Sequence, residues 1–142
     1  MRDQNADANE LFSTIKAEGA CQQVLGANTL IGSDIFSQNN EDLGNIREIM
    51  LDVYSGKVCY AVMSHGGFLG IGEKLFAVPW QALKLDTEHQ RYVLDIDVAK
   101  LDAAPSFDKD HWPNMADEKW ADGIHSFFGT HFKRTDTLHS GM

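Results

Sequence analysis

Between Asn45 and Tyr54 the chain alternates: Ile49, Leu51 and Val53 fall on one face, and Glu48, Met50 and Asp52 on the other. That is the period of a half-buried strand. Ser55-Gly56 follows as a hairpin turn signal, with Asp52 placed to fix it through backbone amides. From Lys57 to Ser64 both faces are apolar, Val58, Tyr60 and Val62 on one and Cys59, Ala61 and Met63 on the other. Such a strand is covered on two sides. Upstream, Thr29 to Phe36 predicts a first strand interrupted by Gly32, and Ser37 to Gly44 a turn cluster. Downstream, strands are expected near Lys74–Val78, Ala82–Asp86 and Tyr92–Ile96. Short strands at close spacing, joined by turns, predict a small barrel or sandwich.

After Asp97 the pattern changes. Val98 to Ala103 predicts one helical turn, stopped at Ala104-Pro105, and an irregular wrap anchored by Phe107 and Trp112 follows. Asn114 reads as the N-cap of a helix, with Asp117 in its first turn. Trp120, Ile124, Phe127 or Phe128, and His131 or Phe132 then recur at helical spacing, which predicts an amphipathic helix ending near Gly129. At the other end, Leu11, Phe12 and Ile15 give only a weak helical pattern. The expected organisation is an N-terminal arm over 1–27, a barrel over 28–105, a wrap and helix over 106–133, and a tail over 134–142.

Composition narrows the function more than the fold. The net charge of -9, from 12 Lys and Arg against 21 Asp and Glu, argues against general nucleic-acid binding, which needs a concentrated basic surface. Cys21 and Cys59 lie far apart in different contexts, so a disulfide framework is not expected and a reducing compartment fits better. No stretch reaches the roughly 18 to 20 apolar residues of a membrane span. The N-terminus, MRDQNADANE, lacks the basic-then-apolar run of a signal peptide. A cytoplasmic protein is the expectation.

Three stretches in order, LGNIREIMLDVYSGKVCYAVMSHGGFLGIGEKLFAVPWQAL, YVLDID and KLDAAPSFD, resemble the PRC-barrel family over roughly Thr29 to Pro105. The family is named for the photosynthetic reaction-centre H subunit, and its fold also forms the second domain of a bacterial ribosome maturation factor. The likeness is greatest to free-standing bacterial members. It implies a mainly β fold, a small and mostly antiparallel PRC-type β-barrel used for docking, here followed by the C-terminal amphipathic helix. Family members contribute interactions rather than chemistry, so the resemblance transfers no catalytic residue. Neither relative's specific role is expected here. There is no anchor helix, and the residues before the first strand are too few for the maturation factor's separate N-terminal domain.

Against that frame the sharpest candidate is the loop Gly66, Gly67, Phe68, Leu69, Gly70, Ile71 and Gly72, whose apolar tip needs a cover: the barrel, the helix or a partner. It is not a phosphate loop. Glu73 and Leu75 break the G-x-x-x-x-G-K-[ST] pattern, and the loop leads into a strand rather than a helix. Trp120, Ile124, Phe127 and Phe128 form a second candidate surface, either packed on the barrel or lent to another chain. The six histidines contain no H-x-x-x-H pair and the cysteines no C-x-x-C pair, so no metal or cofactor site is assigned. Ser64 and His65 are adjacent in a strand and face opposite ways, which denies them a nucleophile–base pairing. No catalytic residue is assigned. The expectation is a non-enzymatic protein-interaction or scaffold module that forms a homo-oligomer and engages a protein partner whose identity the sequence does not give. The competing expectation is a small-ligand or metal-binding regulator with a pocket between barrel and helix.

Overall fold

The computed structural model describes residues 21, 23–66 and 72–131. Six strands form one sheet: β1 (Asp34–Ser37), β2 (Asp42–Leu51), β3 (Val58–His65), β4 (Lys74–Pro79), β5 (Leu83–Asp86) and β6 (Arg91–Leu94). Their order is β4-β3-β2-β1-β6-β5. Neighbours run antiparallel except β1 and β6, which are parallel. The register shifts at Ile35/Phe36 against β2, and at Ile46/Glu48 and Met50/Leu51 against β3. Extra residues of this kind bend and twist a strand, and here they curl the sheet into a half-barrel.

The long hairpin arm β2–β3–β4 carries the core. Ala61 and Met63 of β3 and Phe76 and Val78 of β4 turn inward, where they meet Ile35, Leu43, Ile46, Leu94 and Leu101. On the outer face of the same two strands, Tyr60 and Ala77 are covered by Ile124 of a C-terminal helix. This is the cover on two sides that the apolar pattern of β3 demanded. Each large side chain buried this way contributes roughly 1.5–3 kcal/mol.

Among the described residues three α-helical pieces accompany the sheet, α1 (Ala27–Leu30), α2 (Val98–Leu101) and α3 (Glu118–Phe128). The expected strand over Thr29 to Phe36 therefore opens on the last two residues of a helical turn, Thr29 and Leu30, and is strand only from Asp34. Backbone bonds from Gly32 N to Ile46 O and from Ile46 N to Ser33 O tie this segment to β2 before the ladder starts at Asp34. The helix α3 starts three residues later than an Asn114 cap would place it. Asn114 Oδ1 instead accepts from Ala116 N in a turn, and Asp117 Oδ2 accepts from Trp120 N as the true N-cap. Its end is as expected: Gly129 adopts φ 71°, a left-handed cap. A bridge between Leu75 and Phe107 ties the preceding wrap to β4.

Candidate docking site

β2 stops at Leu51, short of the expected Tyr54, because Asp52 closes a turn. Its backbone N–H donates to Lys57 O at 2.8 Å and its carbonyl accepts from Gly56 N at 2.7 Å. Its carboxylate accepts from Tyr54 N at 3.2 Å and from Ser55 Oγ at 2.8 Å. Lys57 N in turn donates to Ser55 Oγ at 3.2 Å. The Ser55 hydroxyl, then the Tyr54 amide, hold the Asp52 carboxyl below its ordinary value. The expected bracing role of Asp52 is what the geometry displays.

What the brace presents is apolar. Leu51 is 48% exposed, Val53 80% and Tyr54 96%. Turn tips are ordinarily polar, and an apolar pair held by this many hydrogen bonds gains nothing for the fold itself. Beside the turn lies a groove of about 350 Å³ lined by Lys57, Val58, Cys59, Tyr60, Trp80, Gln81, Met115 and His125. It runs between β3, the 3-10 turn Trp80–Ala82 and α3. Trp80 follows Pro79 and packs against Tyr92, ring centroids 5.7 Å apart, so its other side is left to form groove wall.

The floor of the groove is polar but self-satisfied. Tyr60 Oη lies 3.4 Å from His125 Nε2, and His125 Nδ1 lies 2.7 Å from Thr130 Oγ1. A neutral imidazole suits this chain, donating at one nitrogen and accepting at the other. Burial pushes the Tyr60 phenol up to about 12, with the neighbouring Cys59 a smaller cause. Burial likewise raises the Cys59 thiol, helped by the Asp52 charge. A reactive cysteine needs the opposite shift.

Burial lowers the pKa of His125; Asp122 opposes this and His131 adds to it. The unfolded chain therefore takes up its proton near 6.5, and the folded chain only at lower pH. The stability held by the neutral ring is complete above 6.5, falls as pH drops through the folded value, and then levels. In urea melts between about pH 7.5 and 5, His125→Gln should show a shallower acid limb than wild type. Parallel limbs would place the acid sensitivity elsewhere.

The sequence candidates distribute unevenly. Gly66 and Gly72, the ends of the glycine-rich loop, are exposed, and residues 67–71 lie outside the described residues. That loop and the Asp52–Lys57 turn sit at opposite ends of β3. Trp120, Ile124, Phe127 and Phe128 all lie on α3 and pack on their own chain. Ile124 is 2% exposed, Trp120 meets the Tyr60 ring edge-on at 5.3 Å, and Phe127 and Phe128 pack against the inner core. His65 Nδ1 donates to Leu43 O at 2.7 Å, which commits its ring to β2 rather than to Ser64. Trp112 remains 41% exposed while packing on Phe107.

Among the described residues, one group has metal-ligand spacing: Asp86, Glu88 and His89, with donor atoms within 4.8 Å of one another. Asp86 Oδ2 already accepts from His89 Nδ1 at 2.9 Å and Arg91 Nε at 3.2 Å, so the group reads as a hairpin clasp. No helix among the described residues is long and apolar enough to cross a membrane. Sequence reasoning assigned Val53 and Tyr54 to a strand and so missed the exposed tip. The available signal was an apolar Val-Tyr pair directly before Ser-Gly.

A search among curated proteins finds no match to the chain. A crystal structure of a protein named for 16S ribosomal RNA processing, RimM of Pseudomonas aeruginosa, is similar over 53% of this chain and 45% of that one. The identity is 19% and the TM-score 0.34, and the chain spans under half of that structure's length. The PRC-barrel domain profile matches residues 23–101, from ahead of α1 through all six strands to the end of α2. That is more than half of the 142 residues, and the chain belongs to the PRC-barrel family.

Proposed function

We propose that this protein is a non-catalytic docking module that engages a protein partner through the Asp52–Lys57 turn and the adjoining groove. The observation that carries the reading is the braced, outward Val53–Tyr54 tip, 80% and 96% exposed. A binding surface held in its bound shape loses less entropy on association. Tyrosine also supplies large contact area with only two side-chain torsions to fix. The chemistry of the neighbouring groups agrees: the Cys59 thiol is pushed up, and His65 is committed to a backbone carbonyl.

The rival reading, a ligand- or metal-binding regulator, draws on the groove between β3 and α3. Its lining offers Cys59 and His125 but no third His, Cys, Asp or Glu, which weighs toward docking.

A photo-crosslinking amino acid installed at Tyr54 should trap a discrete protein-sized adduct in cells. The same group at Glu88, exposed on the β5–β6 hairpin, should not. Equal yields at the two positions, or none at Tyr54, would remove the docking reading.

A further inference from the structure

We infer that the partner of this turn is a second copy of the chain, in a two-fold contact where each Tyr54 seats in the other copy's groove. This rests on the docking reading and adds the identity of the partner. The projecting tip and the groove are contiguous, since Lys57 closes the turn and is also the first residue of the groove lining. A single patch that carries both a knob and a hole is self-complementary, which is what a two-fold axis requires.

Size and chemistry match the occupant. At about 350 Å³ the groove is at the small end of the roughly 300–1,000 Å³ that whole ligands occupy, which suits an aromatic side chain. Val58, Tyr60, Trp80 and Met115 offer apolar, aromatic and thioether surface to a ring, and Lys57 and the Gln81 side-chain oxygen, whose amide nitrogen donates to His131 O, line the groove for a phenol hydroxyl.

The area favours a second copy over an unrelated protein. Tyr54, almost fully exposed, carries on the order of 200 Å². Val53 and Leu51 add roughly 60–100 Å² each at the usual transfer value per unit area. The groove exposes roughly half the area of this tip, so reciprocal contacts bury roughly 500 Å² per chain and roughly 1,000 Å² in all. That reaches the roughly 1,000 Å² that a specific interface should clear, whereas a one-way insertion would bury only half of it.

Sedimentation equilibrium on the full chain tests the arrangement through complementation. Wild type should have dimer mass. Tyr54→Ser, which removes the knob, and Gln81→Trp, which fills the groove mouth from an exposed position, should each weaken the dimer at least tenfold with unchanged melting temperature. Mixed together, the two should regain part of the dimer mass, because the mixed pair keeps one intact knob and one intact hole. Met115→Lys closes the same groove from its other wall and replaces Gln81→Trp if that variant melts early. A monomeric wild type, a dimer that neither variant weakens, or single variants that do not re-associate on mixing would each overturn the inference. In the first case a Tyr54 crosslink to a different protein would leave the docking reading standing, and loss of the crosslink altogether would end both.

Discussion

Gly44→Ala should cost about 3–5 kcal/mol, a large share of the roughly 5–15 kcal/mol that holds a typical domain folded. Gly44 sits in β2 with φ 140°, a backbone region that side-chain-bearing residues rarely adopt. A Cβ built there would stand 2.0 Å from Ser64 O and 3.0 Å from Ser64 C. Both are backbone atoms of β3, so no flexible side chain can yield. The clash falls at the junction where β1, β2 and β3 meet, since Gly44 pairs with Ile35 and its neighbour Asn45 pairs with Ser64. Relief requires separating the hairpin that carries the core. Gly56→Ala is the control: its φ is 79°, but nothing lies within 4 Å of a built Cβ. It should cost only about 1 kcal/mol from backbone strain. Urea unfolding of the two variants beside wild type reads the difference. A Gly44→Ala protein as stable as Gly56→Ala would mean that β2 and β3 move apart freely, contrary to the packing described above.

The residues that announced themselves in the sequence were those whose environment is set by near neighbours. The doubly apolar run Val58 to Ser64 became the strand covered on both faces, and Gly129 closed α3. Asp52 could be read as a turn brace because its partners are two and three residues away. Competition between equivalent local solutions was not readable. Asn114 and Asp117 can each cap a helix, and the choice fell to the position that lets Ile124 reach Tyr60 and Ala77. The end of β2 was misplaced for a related reason. Alternation runs on through Val53, but the hydrogen bonds gathered by Asp52 end the ladder first. That three-residue error concealed the candidate site, because it assigned Val53 and Tyr54 a strand's surroundings. The Tyr60–His125 contact joins residues 65 apart and leaves no local trace.

The groove and the exposed tip have different supports, which makes them separable by mutation. The tip is held entirely within the β2–β3 connection by Asp52, Ser55 and Lys57. The groove depends on α3 and the segment before it for His125 and Met115. Any change that releases the helix should therefore abolish the hole and spare the knob.

Ile124→Asp should produce that release, with a loss of about 3–5 kcal/mol from the docked state. Ile124 is 2% exposed and packs with Tyr60 and Ala77, so a carboxylate there would be buried without a cationic partner in the cluster. The helix spans 11 residues, too few to persist alone in water, and its aromatic stripe is stabilised by the sheet. Undocking α3 is cheaper for the chain than keeping the charge buried: it withdraws the partly buried Phe127 and Phe128 from the edge of the inner core but leaves Ile35, Leu43, Met63 and Phe76 packed together. Hydrogen exchange should register the change as loss of protection across Glu118–Phe128, on the order of a hundredfold or more, with β3 and β4 amides inside the hairpin largely unaffected. Trp120 emission should shift to the red as its ring leaves Tyr60. Simultaneous loss of protection in the sheet would make α3 part of one cooperative unit with it. Retained protection in the helix would mean that Phe127 and Phe128 on the inner core hold it without the Tyr60–Ala77 face. With the helix released and the turn intact, the variant should behave in mixing experiments as a donor of Tyr54 and not as an acceptor, which separates the two halves of the interface without touching either.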